Sequence, residues 1–175
     1  MTTYTPEIRS KLEQYLATHT LPKGVGTVES ACSIAAINLA ISGVLTDEIP
    51  DCMSSVIGQS TIILQDAMPD EMRNSERYKA WLPTAVGSGQ DREQERRDIL
   101  MNWMWSTVLP QLQPIADKKG FGDEWRTMCS ERTEKAARAA ASAAEETDAA
   151  DTASAAYAAA YSASAAAHTT HPTLA

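Results

Sequence analysis

One segment, Thr27–Gly43, restricts the possible folds of this chain more than any other. It begins at a residue that favours helix N-caps and ends at a glycine, which commonly follows a helix. At about 100° per residue, Ile34 and Ile37 fall on one side of such a helix, whereas Val28 and Leu39 fall nearly opposite. A helix with large apolar side chains on two faces is normally covered on both. We therefore expect the rest of the domain to pack around it.

Two further segments predict helices that cover this central one. Residues Cys52–Asp66 carry large apolar side chains on one broad face. The opposite face carries mostly small residues such as Gly58, which either admit another backbone closely or are exposed. Residues Ile99–Leu109 are apolar on nearly every side and include Trp103. We expect Thr27–Ser42 to lie between these two helices in a single interior, with Trp103 buried.

Shorter signals predict the remaining helices of an all-α fold. An early proline and the apolar spacing of Pro6–Thr18 indicate an amphipathic helix, and Ser75 caps a short helix that ends near Trp81. Pro110 should kink or interrupt the helix that contains it, because proline lacks an amide donor. The expected architecture is a compact bundle of about five helices with a long Ala-rich C-terminal helix.

The C-terminal region is distinguished by alanine. From Asp123 to about Ala167 there is no glycine or proline, so the sequence predicts one long helix. Beyond Ala136 most residues are alanine, and Tyr157 and Tyr161 are the large side chains available for contact. We expect three parts: a globular helical domain at 1–122, a long helix at 123–168 whose first turns dock on the core while the Ala-rich remainder protrudes, and a frayed tail at 169–175.

Charge and cysteine content narrow the class of protein. A net charge of -8 disfavours direct binding to nucleic acid or to an anionic membrane, because both require clustered Lys and Arg. It suits solubility or a basic partner. Three widely spaced cysteines fit a reduced, cytoplasmic chain better than a disulfide framework. The charged N-terminal residues do not resemble a secretion signal.

The Lys23-Gly24-Val25-Gly26-Thr27 loop is the strongest candidate for ligand chemistry. Glycines before a helix N-terminus can present amides to an anion, and a lysine adds charge. The spacing differs from that of a phosphate-binding loop, and no strand pattern precedes it. A plain turn followed by a helix cap explains the same residues. We therefore expect either such a turn or a site for a small anionic ligand formed by Lys23, Gly24, Gly26 and Thr27.

No catalytic set, cofactor site or metal site is predicted. Cys52 would need a base to act as a nucleophile, and the sequence does not bring His19 to it. His168 and His171 have metal-ligand spacing, but Pro172 and the nearby chain end favour fraying. Asn38 lies in the most apolar helix and must find hydrogen-bond partners, so we expect it to pin a helix crossing or to line a pocket.

These observations favour a non-enzymatic cytoplasmic module that acts through protein–protein association. Its partner would be another copy of the chain or a different protein, and the Ala-rich helix with Tyr157 and Tyr161 would mediate the contact. One alternative is a protein that binds or sequesters a nucleotide or other anion at the Gly24/Gly26 loop. A second alternative is an acidic mimic of nucleic acid that inhibits a basic partner, which requires a continuous strip of carboxylates.

Overall fold

A computed structural model describes residues 4–147, and every regular element in this range is a helix, apart from two isolated β-bridges. The all-α prediction is confirmed, although the chain forms more and shorter helices than the five expected. It divides into two compact units between Arg97 and Asp98. The helices are α1 (Pro6–Thr18), α2 (Ser33–Ser42), α3 (Ser55–Ala67), α4 (Asp70–Arg73), α5 (Glu76–Ala85), α6 (Glu93–Trp103), a π-helical segment (Met104–Val108), α7 (Leu109–Gln111), α8 (Gln113–Lys119), α9 (Gly122–Glu131) and α10 (Glu134–Glu146).

The helix at the centre of the first unit is α2, but it begins at Ser33 and not at Thr27. Thr27 and Ser30 exchange two backbone hydrogen bonds, at 2.9 and 3.2 Å. Such a pair is incompatible with an α-helix, in which each carbonyl accepts from the residue four positions later. Cys32 caps the helix through its Sγ instead. Gly43 ends it in the left-handed conformation, with a φ of 74°.

The core of the first unit surrounds α2, as expected from its apolar faces. Ile34 and Ile37 are buried, and Leu12 and Leu16 of α1 belong to the same cluster together with Leu82 of α5. Ser75 caps α5 by accepting a hydrogen bond from the Tyr78 amide, which confirms the predicted start of that helix. The helix continues past Pro83 to Ala85.

Helix α3 buries its small residues and exposes part of its apolar face. Gly58, Thr61 and Gln65 are buried, whereas Ile63 and Leu64 are exposed. The absence of a side chain at Gly58 makes room for Ile49, because a Cβ there would lie only 2.6 Å from the Ile49 Cγ2. Of the two predicted uses of the small face, the structure therefore shows close packing.

The second unit has a separate core built around Trp125. This side chain is buried, and its indole N–H donates to the Leu109 carbonyl at 2.9 Å. The π-helical turn comes directly before Leu109 and Pro110, where a proline cannot supply the usual helical donor. The predicted interruption at Pro110 is confirmed. Buried alanines of α10 complete this core: Ala136, Ala137, Ala140, Ala141 and Ala144.

The prediction of a single shared interior is wrong. The buried residues of α2 and those around Leu109 belong to two different clusters, one in each unit. Trp103 is 51% exposed and Ile99 is 63% exposed, so neither side chain is a core residue. The apolar residues of Ile99–Leu109 are divided between a buried side, which includes Leu109, and an exposed side.

The long helix predicted from Asp123 is interrupted. Arg132 adopts a left-handed conformation with a φ of 55°, which ends α9 after Glu131. Thr133 then caps α10 by accepting from the Ala136 amide at 3.2 Å. The interruption lets α10 fold against α9 within the second unit, so that five of its alanines are buried and do not protrude: Ala136, Ala137, Ala140, Ala141 and Ala144. The predicted parts beyond Thr147, including the tail at 169–175, lie outside the described residues.

Candidate protein-binding groove

The predicted anion loop is not placed at a helix N-terminus. Lys23, Gly24, Gly26 and Thr27 precede a turn, and α2 begins only at Ser33. The Gly24 amide already donates to a carboxylate of the chain itself, Asp66 Oδ1, at 3.3 Å. The structure thus does not bring the loop amides and a helix dipole together, which was the geometric premise of anion binding.

Polar side chains of α3 and of the end of α4 form hydrogen bonds with the backbone on either side of this loop. Gln65 accepts from the Ser33 amide and donates to the Pro22 carbonyl. Arg73, only 2% exposed, donates to the Leu21 carbonyl at 2.8 Å. Asn74 accepts from the Leu21 amide at 2.7 Å. These bonds satisfy backbone groups that regular secondary structure leaves open, and they join α3 and the end of α4 to the chain between α1 and α2.

The Asn38 side chain also donates hydrogen bonds to backbone carbonyls. It is 7% exposed and donates from Nδ2 to the carbonyls of Thr46 and Glu48, at 2.9 and 2.8 Å. These bonds fasten the connection between α2 and α3 onto α2. Tyr157 and Tyr161, the predicted association residues, lie outside the described part of the chain, as do His168 and His171.

The cysteines of the described region lack the environment of a nucleophile. Burial raises the pKa of the Cys32, Cys52 and Cys129 thiols, whereas a reactive cysteine needs a lowered pKa. A cleft of about 620 Å³ contains Cys52 beside Tyr4, without an imidazole among its lining residues. No group of three or more His, Cys, Asp or Glu between residues 4 and 147 is arranged to hold a metal ion. None of the helices in that range has the length and apolarity needed to cross a bilayer.

A groove of about 470 Å³ on the first unit has exposed large apolar side chains in its lining. We call it the Met–Trp groove. Met72 is 58% exposed and Trp81 is 39% exposed, although both are large apolar residues. The groove is lined by Met68, Glu71, Met72, Ser75, Arg77, Tyr78 and Trp81.

Local sequence explains why these side chains meet. Pro69 follows the end of α3, and α4 then turns the chain so that Met68 and Met72 lie along one wall. Ser75 donates to the Met72 carbonyl at 2.7 Å and caps α5, which forms the other wall. The ring of Trp81 lies 6.0 Å from the ring of Tyr78, centroid to centroid.

The base of the groove is anchored in the core of the unit. Tyr78 is 9% exposed, and its hydroxyl lies 3.0 Å from the Ser33 Oγ of α2. Burial raises the pKa of this phenol, so it is neutral and hydrogen-bonded at ordinary pH. The groove therefore combines a buried, hydrogen-bonded phenol with the exposed side chains of Met72 and Trp81.

The charges of the groove are of both signs. Glu71 belongs to the α4 wall and Arg77 to the α5 wall. Neither side chain takes part in an ion pair recorded within residues 4–147. The groove thus combines apolar side chains with one acidic and one basic residue.

The sequence did not single out this groove. Residues around it look irregular, because Pro69 and Pro83 interrupt the periodicity of the flanking helices. The sequence signal that could have indicated the groove is the pair Met68 and Met72, four residues apart, followed by Trp81 on the next helix. No family model, no curated protein and no solved structure matches the chain, so its function has to be inferred from this geometry.

Proposed function

We propose that this chain is a non-enzymatic, cytoplasmic helical module that acts through protein–protein association. The observation that carries the proposal is the Met–Trp groove, in which Met72 and Trp81 are exposed to solvent beside a concave surface. Apolar area gains about 25 cal/mol for each Å² removed from water, so covering such side chains favours association.

The residue types support a contact surface for a protein chain. Methionine is flexible and polarisable and adapts to different partner shapes, while tryptophan is enriched among residues that dominate binding energy. Glu71 and Arg77 add charged positions beside the apolar surface. This combination resembles the apolar centre and charged rim of protein interfaces more than the convergent polar groups of an enzyme site.

The Ala-rich segment has a smaller role in this proposal than the sequence alone suggests. Its first part, α10, uses Ala137, Ala140 and Ala141 to complete the core of the second unit. These alanines are therefore not free to bind a partner. In our proposal, any association by this segment depends on Tyr157 and Tyr161, beyond the described residues.

Site-specific photo-crosslinking tests the proposal in the cell of origin. A benzophenone amino acid replaces Met72 in the full chain, and a matched chain carries it at Gln59, an exposed position of α3 outside the groove lining. We expect a discrete protein adduct from position 72 that disappears when Trp81→Ala is added, and no such adduct from position 59. The absence of an adduct at position 72, or the same adduct from both positions, would contradict the proposal.

A further inference from the structure

The Met–Trp groove carries one acid and one base on separate walls, and this arrangement is complementary to itself. We infer that its occupant is a second copy of this chain, an inference that rests on the association function proposed above. Glu71 lies on the α4 wall and Arg77 on the α5 wall. A copy of the same groove presents the same two charges in reversed order when it approaches about a two-fold axis.

Two-fold symmetry makes each contact occur twice. If residue i of one copy meets residue j of its partner, then residue j of the first meets residue i of the second. Glu71 of each copy therefore faces Arg77 of the other, and one pair of residue types supplies two ion pairs. A partner with charges of one sign would instead place a like charge against either Glu71 or Arg77, which is unfavourable.

The apolar residues fit the same arrangement. Met68, Met72 and Trp81 of one copy cover those of the other, so that the exposed side chains of Met72 and Trp81 leave water together with the half-buried Met68. The groove is lined by seven residues, whereas each partner of a stable complex typically contributes about 20–30 residues to the interface. We therefore expect a weak, reversible dimer, with a dissociation constant on the order of 100 µM.

The net charge does not prevent such a dimer. A charge of -8 on each copy causes long-range repulsion. At physiological ionic strength the screening length is about 8 Å, so distant charges contribute little while ion pairs in direct contact persist. Dimerisation should therefore be measured in a buffer of about 0.15 M salt.

Charge reversal in the full chain tests the inference by sedimentation velocity over a range of concentrations. Glu71→Arg places two like-charged Arg–Arg contacts in the dimer, and Arg77→Glu places two Glu–Glu contacts. We expect each variant alone to dimerise about tenfold more weakly than the parent chain. An equimolar mixture of the two variants should form a heterodimer, because each reversed residue then faces an opposite charge. The double variant E71R/R77E should regain self-association for the same reason.

Matched controls separate this pairing from a change in net charge. Glu29→Arg and Arg97→Glu make the same charge changes at exposed positions outside the groove lining, and we expect them to leave dimerisation within about twofold of the parent. Self-association that the groove variants do not weaken, or that their mixture does not restore, would overturn the inference.

The outcomes of these experiments distinguish self-association through the groove from the more general association function proposed above. A chain that stays monomeric at every concentration, yet gives Trp81-dependent crosslinks from position 72 to a different protein, overturns the inference and leaves the association function standing. If Trp81→Ala changes neither self-association nor any crosslink from position 72, both fail. Circular dichroism first confirms that each variant remains folded, and only folded variants are compared for self-association and crosslinking.

Discussion

Arg73 donates from its Nε to the carbonyl oxygen of Leu21 across 2.8 Å, although 52 residues separate them in the chain. The same guanidinium donates from Nη1 to the carbonyls of Gln65 and Met68 at 3.0 and 2.8 Å, and it contacts the exposed carboxylate of Asp70. One buried cation thus joins the loop after α1 to the end of α3. Because Met68 is a groove residue, this cation also positions one wall of the Met–Trp groove.

Replacing Arg73 with methionine should strongly destabilise the first unit. The change removes the donor of the Gln65 and Met68 carbonyls and leaves the Leu21 carbonyl with only the Asn74 side-chain amide, at 3.3 Å. We expect a loss of about 3 kcal/mol in the free energy of unfolding. Urea denaturation measures it. Arg92→Met, at an exposed ion pair, should cost far less. Equal losses from the two variants would show that the buried bonds do not stabilise the fold.

Gly58→Ala should destabilise the chain, although alanine is the better helix former by about 1 kcal/mol. A Cβ at this position would lie 2.6 to 2.9 Å from three carbons of Ile49, so α3 could not keep its close approach. We expect a net loss of about 1–3 kcal/mol in thermal or urea unfolding. Adding Ile49→Ala should make the Gly58→Ala step neutral or favourable. A stabilising effect of Gly58→Ala alone would refute this packing.

Arg132→Gly should stabilise the second unit. Arg132 is the one non-glycine residue with a positive φ among residues 4–147, and an L-residue in that conformation is strained by roughly 1 kcal/mol. Glycine removes the strain at the end of α9, so we expect a gain of about 0.5–1 kcal/mol. Arg126→Gly, in the interior of α9, should instead lower stability by a similar amount. If both variants lose stability, the interruption at Arg132 is not a conformational requirement of the fold.

Stability should fall at alkaline pH because of two buried thiols in the first unit. Burial raises the pKa of Cys32 and of Cys52 in the folded chain. The folded state therefore retains the protons of these two thiols to a higher pH than the unfolded state does. The stabilisation is complete below the unfolded thiol pKa of about 8.5 and is lost as pH rises through the folded pKa.

The test compares the parent chain with C32S/C52S between about pH 8 and pH 10. The serine variant should lose less unfolding free energy over this range, and Cys32→Ser keeps an oxygen able to cap α2. Cys129→Ser, in the second unit, should also reduce the alkaline loss, because burial raises the pKa of this thiol as well. Parallel pH profiles for the parent and the double variant would show that these thiols do not contribute.

Local signals explain which parts of the fold the sequence could predict. The cap at Ser75, the glycine at the end of α2 and the interruption at Pro110 all depend on backbone bonding within a few residues. The start of α2 depends instead on the bonds between Thr27 and Ser30 and on a cysteine that acts as a cap. Neither has a strong sequence signature.

The remaining errors of the sequence-based prediction concern which face of a helix is covered by another helix. Periodicity shows that Ile99–Leu109 is apolar, but it does not show which side is covered, and Trp103 lies on the exposed side. Alanine is too small to produce a clear apolar stripe, although α10 buries its alanines against Trp125 and Met128. The groove was missed for a related reason, since it joins α4 and α5, which are separated by the turn at Asn74 and Ser75.

Methionine methyl NMR of the full chain tests most directly the claim that copies of this chain meet through the Met–Trp groove. Selective labelling reports Met68 and Met72 in the groove, while Met53 and Met128 are fully buried and serve as internal references. As protein concentration rises, the Met68 and Met72 signals should shift and lose contact with a soluble paramagnetic probe, while the two references stay constant. Groove methyls that remain equally accessible to the probe at every concentration would contradict the claim.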